Sequence, residues 1–159
     1  MGQSEGVFDQ GIGEVDDVLA VLDWIKQARE GDRIWLLGFS FGASMVLKAC
    51  QQTMDPDYVV CVAPPVDKAY FTAPWPDHCQ GLVVQGDQDE VVNAHEVTNW
   101  INTISQNRPD YTLFADVGHF FHGKLILLRE CVQNALDKQT PKHTQHLSLI
   151  HISEPTRPY

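Results

Sequence analysis

One stretch constrains this chain more than any other: Gly38-Phe39-Ser40-Phe41-Gly42, set between the apolar run Ile34-Trp35-Leu36-Leu37 and a segment with helical period. In that segment Ala43, Val46, Leu47 and Cys50 recur at i, i+3, i+4 and i+7. The pattern predicts a buried strand over 34–37, a tight turn, and a helix from 43 to about 53. A turn that sharp forces its central residue into a strained backbone conformation, and only residues without a Cβ fit on either side. Ser40 is then held clear of the sheet at the positive end of a helix. The backbone N–H of Phe41 faces the place where an oxyanion would develop. The alternative is a glycine-rich turn that only needs small residues or holds an anion.

The rest of the chain repeats the alternation of strand and helix. Residues 1–13 carry four glycines and no period and read as a loop. Residues 14–30 read as a helix with Val15, Val18, Leu19, Leu22 and Ile25 on one stripe. Glu14, Asp16 and Asp17 crowd its first turn and are assigned to the helix dipole in preference to a metal site. Further strands are predicted at 58–62, 82–84 and 111–114, and further helices at 93–105 and from about 122 to 138. Residues 55–57, Asp-Pro-Asp, read as a turn. Residues 63–80 hold four prolines and are predicted irregular. Phe71 and Trp75 within them either cap the sheet or wall a substrate pocket. Continuous apolar strands joined through helices give four strand–loop–helix units, an α/β fold with a mostly parallel sheet covered on both faces. Ligands of such sheets bind beyond the carboxyl ends of the strands. Ser40, the acidic loop 87–90 and the Gly118-His119 loop each follow a strand, so all three are expected on one edge.

Composition narrows the function classes. The 159 residues suit one domain, and 43% are hydrophobic, as in ordinary globular chains. The net charge of −10, with no Lys/Arg cluster, speaks against a nucleic-acid partner. No run of 18 apolar residues and no signal peptide is present, so neither a membrane partner nor export is expected. Cys50, Cys61, Cys79 and Cys131 are widely spaced without a C-x-x-C pair. Free thiols in core elements fit a reducing compartment, and a cytoplasmic location is expected.

A serine hydroxyl needs a base that titrates near neutrality, and that base needs a carboxylate to fix its tautomer. Of seven histidines, His119 alone follows a predicted strand directly, inside a glycine-containing loop. His122 is its rival but falls at the predicted start of the last helix. For the acid, Asp87, Asp89 and Glu90 compete, and Asp89 is preferred. The others read as surface carboxylates that cap the following helix. Ser40, Asp89 and His119 then stand in the chain order serine, acid, histidine. His119 and His122 are three apart, but no ligand set joins them, so neither a metal nor a cofactor is expected.

With these residues in view, the chain resembles small bacterial α/β-hydrolases, in particular predicted cytoplasmic hydrolases distantly related to dienelactone hydrolases and prolyl peptidases. The resemblance rests on GQSEGVFDQGIGEVDDVLAVLDW at 2–24, LLGFSFGA at 36–43, VAPPV at 62–66, QGDQDEVV at 85–92 and GHFFHGKL at 118–125. It implies an α/β-hydrolase fold, here the C-terminal part of its sheet flanked by helices. It also implies Ser40 as nucleophile, Asp89 as acid, His119 as base, and ester hydrolysis of a small acyl substrate. Two departures stand out. Complete members begin earlier, with strands and a His-Pro loop that offers a second oxyanion donor. Residues 1–142 are therefore expected to be a partial domain lacking N-terminal strands, a fragment of low activity. Missing one donor costs about 10²–10³ in rate. Residues from about 143 to 159 match nothing in the family, and LSLIHISEPTRPY resembles translated adapter DNA, so they are expected to be a non-native tail. Two other functions are left open: a non-catalytic binding module on the same fold, and hydrolysis of an amide or thioester. Oligomeric state is not legible.

Overall fold

The computed structural model describes residues 11–53, 55–140 and 148–152. The order of elements is α1 (Ile12–Ala28), β1 (Ile34–Phe39), α2 (Phe41–Cys50), β2 (Pro56–Val62), β3 (Gln80–Gly86), α3 (Ala94–Thr103), β4 (Asp110–Phe114), α4 (Leu125–Gln139) and β5 (Ser148–Ile152). All four strand pairings are parallel, and the sheet runs β4-β3-β2-β1-β5. The chain steps outward from β1 to β4 and then returns to the far side of β1. The direction of travel thus reverses at β1, and a crevice opens at the carboxyl end of a strand where this happens. Ser40 follows that end directly.

Side chains alternate along β1, β2 and β3, and the alternation builds two cores. Ile34, Leu36, Val59, Cys61 and Val83 join Val15, Val18, Leu22 and Ile25 of α1, Val46 and Leu47 of α2, and Val97 and Ile101 of α3 on one face. Trp35, Tyr58, Val60, Val62, Leu82 and Val84 face the other way, toward Ala135 and Leu136 of α4. Three helices therefore cover one face and α4 the other. The stripe predicted for α1 is the stripe that is buried, with Leu19 packed at its margin.

Several boundaries differ from expectation for identifiable reasons. Residues 55–57 are not a turn. Pro56 opens β2, a first-position site where the missing N–H costs no ladder bond, and the Asp57 carboxylate accepts from the backbone N–H of Ile34 at 2.8 Å. The connection from β2 to β3 contains no helix, so strand–loop–helix units follow β1, β3 and β4 only. In that connection Trp75 is buried and packs on Trp100 of α3, with Phe71 edge-on to the same ring. Both aromatics cap the sheet's α3 side. α4 begins at Leu125, later than predicted, because Phe121 and Gly123 hold positive φ angles of 54° and 72° that no α-helix can pass through. Leu125, in the first turn of α4, is 62% exposed.

β5 was not predicted. Its backbone pairs with β1 from Ile34–Ser148 to Gly38–Ile152, so part of the stretch set aside as a tail forms the edge strand next to the one that carries Ser40.

Candidate active site

The turn after β1 has the strain its sequence requires. Ser40 sits at φ 52°, ψ −117°, a conformation costly for any residue with a Cβ, and its N–H is fixed by the Val62 carbonyl at 2.8 Å. Gly38 permits the turn. A Cβ there would lie 2.4 Å from the Gly42 carbonyl oxygen and 2.6 Å from the Ala43 nitrogen. β1 and the first turn of α2 thus approach more closely than side chains allow, with Phe41 as the first residue of α2.

The acidic loop after β3 and the histidine loop after β4 are bound to each other by three carboxylates in turn. Asp87 Oδ1 accepts from the Asp116 N–H at 2.8 Å, Asp89 Oδ2 lies 2.8 Å from His119 Nδ1, and Glu90 Oε2 accepts from the His119 N–H at 3.1 Å. Two backbone bonds add to these, from the Asp87 N–H to Phe114 and from the Gln88 N–H to Val117. Asp87 and Glu90 therefore do not cap α3. That cap is Asn93, whose side chain accepts from the N–H groups of His95 and Glu96. His119 is the histidine brought to Asp89, whereas His122 is exposed before α4, its ring centroid 6.0 Å from that of Phe120.

The Asp89–His119 pair is out of solvent, its side chains 0% and 1% exposed. Burial would raise the Asp89 pKa. Hydrogen bonds from His119, the N–H groups of Val92 and Val91, and the Gln85 amide outweigh it and hold the carboxyl below the usual carboxylate range. The bond to the His119 N–H does the same for Glu90. An ionised Asp89 Oδ2 can only accept, so the His119 ring donates to it from Nδ1.

His119 is flanked by Phe39, at 5.1 Å between ring centroids, and by Phe120, at 4.9 Å. Phe39 immediately precedes Ser40, so the two loops meet through its ring. Among the described residues no hydrogen bond joins the Ser40 hydroxyl to His119. Sequence reasoning missed Gln85, Phe39 and the crossing role of Glu90. Gln85 left one usable signal, a polar residue two positions after Val83 on an otherwise apolar strand face. Beside Phe39 and Phe120 a groove of about 470 Å³ runs between β1 and α4, lined chiefly by apolar side chains. Among the described residues no group of three or more His, Cys, Asp or Glu side chains is gathered as a metal site would require.

No family model matches the chain. Its parallel sheet with helices on both faces is the α/β-hydrolase fold, and the solved structures it resembles include an α/β serine hydrolase and an α/β serine hydrolase homologue. XC6422 from Xanthomonas campestris, an α/β serine hydrolase without lid, superposes with a TM-score of 0.81 at 39% identity, over 91% of this chain and 65% of that one. An α/β serine hydrolase homologue from Coxiella burnetii gives 0.77 at 40% identity, over 86% of this chain and 64% of that one. The uncharacterized protein RP471 of Rickettsia prowazekii is 34% identical over 134 residues, 78% of this chain and 56% of its own length. The chain thus spans somewhat over half to about two thirds of these relatives.

Proposed function

We propose, with the α/β-hydrolase fold and the likeness to α/β serine hydrolases as premise, that this chain carries the hydrolytic centre of a serine hydrolase. Its substrate would be a carboxylic ester or related acyl compound. The observation that supports this most is the buried 2.8 Å contact between Asp89 and His119 on the sheet edge where Ser40 is held in a strained turn. In this reading Ser40 Oγ attacks the carbonyl carbon and its proton passes to His119 Nε2. The new oxyanion meets the backbone N–H of Phe41 and the positive end of α2. The ester C–O bond then breaks, and the leaving alkoxide takes the proton from His119. A water, deprotonated by the same nitrogen, releases the acid and restores Ser40. Asp89 holds the imidazole and stabilises its cation throughout.

The test is labelling by a fluorophosphonate probe together with hydrolysis of a p-nitrophenyl ester. Both are expected to vanish in Ser40→Ala and to fall at least about 10³-fold in His119→Ala. A label that persists in Ser40→Ala sinks the assignment. The binding-module reading draws on the absence of a Ser40–His119 hydrogen bond among the described residues. Ester turnover lost on His119→Ala excludes it, because triad hydrogen bonds in the ligand-free state are often long. Amide and thioester cleavage use the same groups and are separated by substrate profiling.

A further inference from the structure

The machinery proposed above leaves one buried polar side chain unexplained. Gln85, the penultimate residue of β3, is fully buried, and its Nε2 donates to the Gly86 carbonyl at 3.1 Å and to Asp89 Oδ2 at 3.0 Å. Both partners are acceptors, so the amide can be oriented only with its NH₂ toward them. That choice leaves Oε1 buried without a hydrogen-bond donor among the described residues. A buried orphan acceptor costs stability, and an apolar residue of the same size would avoid it. The cost is intelligible if the donor side has a task.

We propose that Gln85 is a positioning residue for the candidate Asp–His pair, an assignment that rests on the serine-hydrolase reading. Asp89 Oδ1 is held by the N–H groups of Val91 and Val92 at 2.8 and 2.7 Å. Those two bonds fix one oxygen and leave the carboxylate able to swing about it. Gln85 fixes the other. It donates to the same Oδ2 that meets His119 Nδ1, so the carboxylate plane is set from both ends before the imidazole docks. The amide also draws charge from Oδ2 and tempers the pull of Asp89 on the imidazolium. The charged groups that bear on this position are Asp89, His119 and Glu90, the last through the His119 N–H.

Gln85→Met removes both donors at nearly constant volume. The first readout needs no activity: the His119 ring is titrated by NMR in the wild type and in the variant. With Oδ2 unshared, the imidazolium is better stabilised, and the His119 midpoint is expected to rise by about half a pH unit or more. In ester hydrolysis kcat is expected to fall roughly ten-fold with KM within about two-fold, since orientation and not substrate binding is lost. If Gln85→Met does not fold, Gln85→Leu removes the same donors at similar volume, and the same rise of the His119 midpoint is expected. A folded variant whose His119 midpoint falls, or stays within a tenth of a unit of wild type, overturns the assignment. Failure of the hydrolase reading shows elsewhere, as turnover or labelling that survives Ser40→Ala, while the His119 midpoint still decides the role of Gln85.

Discussion

At the scale of single residues, the loops beyond the sheet are organised by carboxylates. Asp87, Asp89 and Glu90 all reach across to the segment 116–119, two to backbone N–H groups and one to an imidazole. For Asp89 and Glu90 these bonds favour the ionised form, and the consequence for stability has a definite sign. The Asp89 carboxyl in the folded chain lies below its unfolded value of about 3.9. Its contribution is therefore complete above about pH 4 and is lost as the pH falls through the lower folded value. Glu90 and Asp55 are displaced in the same direction and share the effect. Asp89→Asn is expected to flatten the acid side of the stability profile without abolishing it. Urea midpoints between pH 6 and pH 3 check this: the wild type should lose more stability over that interval than the variant, and parallel curves would refute it.

At the scale of elements, the unit β1–turn–α2 is set by backbone approach. The Cβ that Gly38→Ala adds would meet the backbone of Gly42 and Ala43, which cannot rotate away as a side chain would. α2 would have to retreat, and with it the strained serine. The expected cost is about 3 kcal/mol, at the upper end for overpacking, read as a lowered urea midpoint. Fluorophosphonate labelling of Ser40 should fall even where the variant remains folded. Equal labelling and stability would show that the turn tolerates a methyl group. The irregular connection before β3 obeys a comparable constraint. A Cβ at Gly81 would lie 2.1 Å from the Val59 carbonyl oxygen and 2.6 Å from the Trp75 ring, so the strand's glycine makes room for the tryptophan that caps it.

At the scale of the molecule, β1 is both the reversal point of the sheet and the carrier of Ser40, and its outer side is paired only with β5 among the described residues. An unpaired strand edge is exposed to solvent and to other chains. A chain ending at Lys142 would remove β5 and leave those β1 groups without partners. Amide exchange in β1 is expected to accelerate strongly in that truncation, while β3, paired on both sides by β2 and β4, keeps its protection. Unchanged protection in β1 would show that β5 contributes nothing to the sheet in solution. The apolar groove between β1 and α4 and the exposed Leu125, Ile126 and Leu127 lie on the same side of the molecule, where a single helix covers the sheet.

The sequence by itself determined the elements whose signals are local. Strand and helix around Ser40 follow from apolar period and two glycines, and the edge on which Ser40, Asp89 and His119 gather follows from their positions after strands. It also ranked His119 above His122 by position alone. Only the tertiary structure decided which carboxylate meets the imidazole, because Asp87, Asp89 and Glu90 are equivalent in type and differ in where the loop aims them. Gln85 stood out in the sequence only as a polar residue on an apolar strand; the task proposed for it depends on an oxygen four residues away and a ring brought in from another strand. The site of Phe71 and Trp75 was decided by Trp100, twenty-five or more positions along the chain. The helix expected from His122 starts only after two left-handed residues, the buried Phe121 and Gly123. Local period fixes what a segment becomes; contacts between distant segments fix what its side chains touch, and the proposed chemistry depends on the second.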